Sequence, residues 1–210
     1  MTTPTPAQAW QQLKEGNDRF VSNRPIHPSQ GIDTRARLAS GQSPHAVLFG
    51  CSDSRVAAEI IFDQGLGDMF VVRTAGHIID SSVLGSLEFA TEVLGTPLIV
   101  ILGHDSCGAV GAATKALDDL QIPGGYLRDV VERVAPSVLA GRNAGLKTVD
   151  EFVAMHVQET SKLLVQRSRK IAERVDNKEV AIVGLTYKLA DGRVEMRGAL
   201  GDIGEDVAGV

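Results

Sequence analysis

Three short apolar runs, at 46–50, 69–72 and 98–102, each give way to a polar turn and then to residues with helical spacing. A run of four or five apolar residues is strand-sized, and a strand with no polar alternation must be covered on both faces. The intervening segments supply that cover: helices are expected over 56–64 and 82–94, with a third opening near Cys107. Strands alternating with helices predict an α/β fold, a mainly parallel central sheet flanked by helices.

The ends of the chain follow a different grammar. Thr5-Pro6-Ala7-Gln8 has the spacing of a capping box, and Trp10, Leu13, Phe20 and Val21 continue it as a helix to about Asn23. Pro25 and Pro28 then read as an extended arm, so 1–30 is expected to form an N-terminal helix and arm. A second capping box, Thr148-Val149-Asp150-Glu151, opens a long helix expected to run to about Val175, with His156 on its apolar stripe. The runs 180–185 and 193–197, about the turn Ala190-Asp191-Gly192, predict a terminal hairpin. The Gly-rich acidic stretch 201–210 is expected to be a flexible tail. No linker or repeat divides the 210 residues, so 1–210 is read as one domain.

Composition excludes several classes of function. Hydrophobic residues make up 43% and aromatic residues only 4%, so the core is expected to be aliphatic. Twenty-one basic residues against 26 acidic ones give a net charge of −5 with no basic block, which argues against nucleic acid as a partner. No apolar run is long enough to span a bilayer, and the N-terminal residues lack the pattern of an export signal, so no membrane association is expected. Two cysteines are too few for a disulfide scaffold. Reduced thiols in the cytoplasm are the expectation.

Both cysteines fall where an open α/β sheet gathers ligands, outside the carboxyl ends of its strands. Cys51 follows the run 46–50, in Gly50-Cys51-Ser52-Asp53-Ser54-Arg55, and Cys107 lies in Gly103-His104-Asp105-Ser106-Cys107-Gly108 after the run 98–102. If those strands are neighbours, Cys51, His104 and Cys107 meet. Two thiolates and an imidazole form a known catalytic zinc set with an open fourth position. A single buried cysteine is more often a small core residue, but both here stand at strand ends among glycines and polar groups. Asp53 and Arg55, two residues apart on an extended segment, would point the same way and pair beside the ion.

Cys51-Ser52-Asp53-Ser54-Arg55 together with His104-x-x-Cys107-Gly108 resembles the signature of the β-class carbonic anhydrases. The similarity extends through Phe70-Val71-Val72-Arg73, Ala75-Gly76 and Ser86-Leu87-Glu88-Phe89, from about Gln42 to Ala112. The resemblance implies Zn2+ held by Cys51, His104 and Cys107, and reversible hydration of carbon dioxide to bicarbonate through attack by zinc-bound hydroxide. Asp53 and Arg55 would form the catalytic dyad, with Asp53 as a fourth ligand in a closed state. It further implies a homodimer or tetramer with active sites at the subunit interface. Gln42 would reach a substrate oxygen across that interface, Phe70 and Phe89 would wall the substrate pocket, and the Gly108 amide would border it. An inhibitory bicarbonate pocket in some bacterial members uses a tryptophan, an arginine and a tyrosine. Arg73 and Tyr187 match two of these, but Leu48 stands at the tryptophan position, which puts such a pocket in doubt here. His77 has the intrinsic pKa of a proton shuttle, although a loop histidine beside glycine is more often structural or solvated. Two alternatives remain open: a hydrolase of carbon disulfide or carbonyl sulfide on the same fold, and a non-catalytic zinc or redox sensor.

Overall fold

The computed structural model describes residues 3–207. A five-stranded sheet in the order β2-β1-β3-β4-β5 organises the chain. Its strands are β1 (Ala46–Cys51), β2 (Met69–Thr74), β3 (Leu98–His104), β4 (Ala181–Tyr187) and β5 (Val194–Leu200). β2, β1, β3 and β4 are parallel, and β5 returns antiparallel to β4 as the expected hairpin. Every residue of β1, β3 and β4 is buried, which is why these runs carry no polar alternation.

Because side chains alternate across a strand, the sheet builds a core on each face. Leu48, Val100, Leu102, Val183 and Leu185 pack on one face with Ala9, Trp10 and Leu13 of α1 (Pro6–Val21). Val47, Phe49, Ile99, Ile101 and Ile182 pack on the other, against α4 (Ser81–Glu88) and α7 (Val149–Arg167). A third cluster, at the carboxyl ends of the strands, joins Cys51 and Cys107 to α5 (Gly108–Asp119) and α6 (Leu127–Asn143).

Both capping boxes form: Thr5 closes on Gln8 and Thr148 on Glu151. Several helices differ from expectation. The segment 56–64 yields only α3 (Ala58–Ile61), which has no side-chain cap at its start and stops before Asp63 turns left-handed at φ 45°. The segment 82–94 starts as α4, capped by Asp80, and ends in a wide π-type turn over Phe89–Val93. The long helix expected to reach Val175 is broken at Ser168, which adopts extended φ/ψ and caps a new helix, α8 (Arg169–Asp176). The Ser168 hydroxyl also donates to Glu88 Oε1 at 2.6 Å, a tertiary contact that fixes the break. α2 (Ile32–Leu38) and α6 were not foreseen.

The N-terminal arm is tied down by Asp63, whose carboxylate accepts from Arg19 Nε and from the backbone N–H groups of Ile26 and His27. Asn17 ties α1 to the hairpin by donating to the Gly192 carbonyl and accepting from Val194 N–H. Within the segment expected to be a flexible tail, Ile203 is buried in the first core and Glu205 accepts from Trp10 Nε1 and Lys14. Residues 208–210 of that segment lie outside the described residues.

Candidate metal centre

β1 ends on Cys51 and β3 ends on His104, and the register sets Gly50 opposite Leu102, so both strands deliver their last residues to the same edge. The turn after His104 brings Cys107 back as the residue that precedes α5. One ligand atom from each of Cys51, His104 and Cys107 lies within 4.8 Å of the others, and all three residues are buried.

The histidine is set up to offer a lone pair. His104 Nδ1 stands 2.8 Å from the Asp105 carbonyl oxygen, which can only accept, so Nδ1 carries the proton. Nε2 is therefore an acceptor, and it is buried without a hydrogen-bond partner. An unpaired buried acceptor beside two thiols matches the chemistry of a metal ligand. The thiols share a proton: a hydrogen bond from Cys107 holds Cys51 well below the ordinary thiol range, and the same bond pushes Cys107 up. Burial works against a charged His104 ring, but the adjacent Cys51 thiolate outweighs it and raises the ring's pKa. The pocket thus attracts positive charge. A dication with two thiolates and a neutral imidazole carries no net charge, which suits a buried position.

Asp53 and Arg55 do pair, through a tight turn rather than along an extended strand. Arg55 Nε donates to Asp53 Oδ1 at 2.9 Å and Nη2 to Oδ2 at 2.7 Å, while the Arg55 backbone N–H also reaches Oδ1 at 2.9 Å. The turn is closed by Val56 N–H on the Asp53 carbonyl, the local geometry that aspartate favours. The guanidinium holds the Asp53 carboxyl far below the usual carboxylate range. Asp53 Oδ2 stands 3.8 Å from His104 Nε2, at the edge of the ligand triangle.

The other candidates are placed less closely. Gly108 is the first residue of α5, and a Cβ built on it would meet nothing within 4 Å. Phe70 and Phe89 pack together with ring centroids 6.2 Å apart, and Phe89 is 45% exposed. Gln42 is exposed in the loop before β1, at the opposite end of that strand from Cys51. The five steps of about 3.3 Å from Ala46 to Cys51 separate those ends by roughly 17 Å. Within one chain Gln42 is not brought to the ligand group.

Of the two readings, solvated or structural, the structure places His77 in the core. It is wholly buried, and burial followed by the neighbouring His156 and His104 holds its pKa well below the ordinary value. Arg73 donates from Nε to the Cys51 carbonyl at 2.9 Å and from Nη2 to the Asp53 carbonyl at 2.6 Å, bracing the backbone that carries both residues. Leu48 lies in the core and Tyr187 is buried at the end of β4. Sequence reasoning missed two further braces. Asp150 Oδ1 accepts from Ser106 N–H at 2.8 Å, holding the strained turn between His104 and Cys107, where Ser106 has φ 52°. Asp105 Oδ1 accepts from Leu189 N–H at 3.1 Å. Asp150 had a signal only as part of a capping box; its reach to the ligand turn is a tertiary fact.

Among the described residues no helix is long and apolar enough to cross a membrane. Comparison with known proteins places this geometry. The family profile described as carbonic anhydrase matches residues 46–194. The chain is 65% identical over 207 residues to carbonic anhydrase 2 of Mycobacterium tuberculosis, covering 99% of this chain and 100% of that protein. It is 63% identical over 205 residues to the carbonic anhydrase of Mycolicibacterium smegmatis, covering 98% and 100%. The solved structure of the β-carbonic anhydrase CcaA superposes with a TM-score of 0.71 at 28% identity, over 89% of this chain and 94% of that one. A tetrameric β-carbonic anhydrase of Sordaria macrospora shares the fold, with a TM-score of 0.70 at 23% identity over 89% and 95%. With a mostly parallel sheet that sets Cys51, His104 and Cys107 at its carboxyl edge, and with near full-length identity to curated carbonic anhydrases, the chain belongs to the β-carbonic anhydrase family.

Proposed function

We propose that the chain interconverts carbon dioxide and bicarbonate, with Zn2+ held by Cys51, His104 and Cys107 and with Asp53 and Arg55 as the catalytic pair. The observation that carries this reading is the buried, unpartnered Nε2 of His104 facing two thiols, its tautomer set by the Asp105 carbonyl. Zinc, when bound, acts as a Lewis acid that lowers the pKa of water towards ~7 and so supplies a nucleophile at mild pH.

The chain's own residues then do the positioning. Arg55 keeps Asp53 ionised, so the carboxylate serves as a hydrogen-bond acceptor and not as a base. It accepts the O–H of the attacking water and turns the oxygen lone pair towards the carbon of carbon dioxide. Gly108 opens α5, where the first N–H groups have no intrahelical partner and the helix end is partly positive, and these favour the negative oxygens of bicarbonate. Phe70 pairs with Val47 in the half of β1 away from Cys51, so Phe70 and the Phe89 ring against it would offer a dry wall to the uncharged substrate at a partner copy's site. The released proton leaves through water to buffer, since His77 stays neutral in the core.

The position of Gln42 supports a homodimer with the active site at the interface. A glutamine at the far end of β1 serves the ligand group only if a second copy presents it. The half-buried edge strand β2 and the exposed Phe89 and Val93 beside it are available to such a partner, and pairing of dimers into a tetramer extends the same reading. Two adjacent thiols serving as ligands require a reducing compartment, which supports a cytoplasmic location.

Stopped-flow hydration of carbon dioxide at about pH 8.5, with chelator-stripped protein as control, tests the reading. Metal-dependent turnover is expected. Metal-dependent release of sulfide from carbon disulfide without hydration would transfer the function to that substrate, and no turnover on either with metal bound would leave a sensor.

A further inference from the structure

Beneath the ligand triangle lies a buried pair that the proposed reaction does not use. His77 and His156 stack with ring centroids 4.4 Å apart, and Phe49 packs edge-on against His77 at 6.3 Å. The stack underlies all three ligand-bearing segments. His77 directly follows Gly76 in the turn after β2, and a Cβ on Gly76 would stand 2.7 Å from Ala109 Cβ, two residues past Cys107. A Cβ on Gly103, next to His104, would stand 3.5 Å from His77 Cε1.

The hydrogen bonds give this packing a direction. His156 Nε2 lies 2.9 Å from the Gly76 carbonyl oxygen, so Nε2 carries the proton and donates it. Nδ1, 2.8 Å from Ser137 Oγ, is then the acceptor of the hydroxyl proton. Both partners are buried, and burial keeps the ring neutral, with its pKa lowered to about 4. On its other side the Gly76 turn is tied to the end of β1, because Thr74, two residues earlier, pairs with Cys51 and its carbonyl accepts from Ser52 N–H at 3.0 Å. Gly76 has φ 65° and His77 φ 41°. A non-glycine residue in the left-handed region persists only where its surroundings hold it.

We propose that His156 is a positioning residue for Cys51: Ser137 fixes its ring, and its Nε2–H holds the Gly76 carbonyl, which keeps the left-handed Gly76–His77 turn seated between the end of β1 that carries Cys51 and Ala109 beyond Cys107. The inference rests on the reading of Cys51 as a metal ligand. Outer contacts that hold the segments carrying metal ligands set the ligands' orientation, and losing such a contact weakens metal binding typically 10–100-fold.

The test measures zinc affinity of the whole protein by competition with a chromophoric chelator, together with the sulfur-to-metal absorption band of the cobalt-loaded protein. His156→Phe keeps ring volume over His77 but has no donor. It is expected to lower affinity by about 10–100-fold and to shift the cobalt band. His156→Gln restores a donor near the place of Nε2 and is expected to recover most of both. Ser137→Ala, which frees the ring while leaving the donor, is expected to lose several-fold, and it decides the matter if His156→Phe does not fold. Wild-type affinity in His156→Phe or in Ser137→Ala would overturn the proposal. So would equal losses in the phenylalanine and glutamine variants, since packing alone would then explain them. The readout is independent of turnover: a wild-type chain that binds zinc but does not hydrate carbon dioxide refutes the reaction alone, whereas one that binds no zinc refutes both.

Discussion

Acid should destabilise this protein through its buried histidines, and His156 allows the size of the effect to be worked out. Burial lowers its pKa to about 4, against an opposing pull from the Gly76 carbonyl, Cys51 and Glu159. An unfolded chain restores the ordinary value of about 6.5. The unfolded state therefore takes up a proton below about pH 6.5 that the folded state refuses until about pH 4. The contribution is fully present above the unfolded pKa and is lost as pH falls through that window. With those two values, the loss between neutral pH and about pH 5 is about 2 kcal/mol from this one side chain. His77 adds to it with the same sign, its pKa being lowered by burial and then by His156 and His104. The assay is urea unfolding in chelating buffer at about pH 7.5 and about pH 5, on wild type and His156→Gln. At a slope of about 2 kcal/mol per M, the wild-type midpoint should fall by about 1 M more than that of the variant. Parallel shifts in the two proteins would show that His156 is not held neutral by its burial, and the reasoning would fail.

Four other substitutions probe the site and the packing beneath it. Cys51→Ser and Cys107→Ser should each abolish stoichiometric metal, read by elemental analysis of dialysed protein; full retention in either would remove that residue from the ligand set. Arg55→Ala should keep the metal but lose most turnover, because Asp53 loses both guanidinium hydrogen bonds that aim it; full activity would refute the catalytic pair. Gly103→Ala should cost about 1–3 kcal/mol in urea unfolding by overpacking, since its Cβ would stand 2.7 Å from Val157 Cγ2 and 2.9 Å from Val153 Cγ1.

What could be read from the sequence was what local chemistry dictates. The apolar runs became β1 and β3 because a strand covered on both faces has no room for polar alternation, whereas the run at 69–72 became β2, an edge strand that the chain leaves half-buried. The two thiols and His104 could be brought together on paper because strand ends and the His-x-x-Cys spacing are local features, and only the adjacency of β1 and β3 had to be supplied. The break at Ser168 was illegible because α7 and α8 share one periodic pattern, and the hydroxyl that separates them answers to Glu88, 80 residues away. α6 has apolar spacing at Val131, Val134 and Val138, but the lead into it has no side-chain cap and Pro136 sits inside it, so its local signals conflict. Between the structural and the solvated readings of His77 the sequence could not choose, for a related reason. A histidine after glycine looks exposed until Phe49 and His156 are seen to enclose it. The long-range braces at Arg73, Asp150 and His156 belong to the same class, since each acts on the ligand segments through backbone atoms that carry no sequence identity.

The account turns on one claim, that a single zinc ion at Cys51, His104 and Cys107 confers carbon dioxide hydration. Titrating zinc into chelator-stripped protein while following hydration by stopped flow tests it most directly. Turnover should rise linearly and stop at one equivalent per chain, and in Cys107→Ser it should not rise at all. Turnover that is already full before zinc is added, or that climbs equally in Cys107→Ser, would contradict the claim.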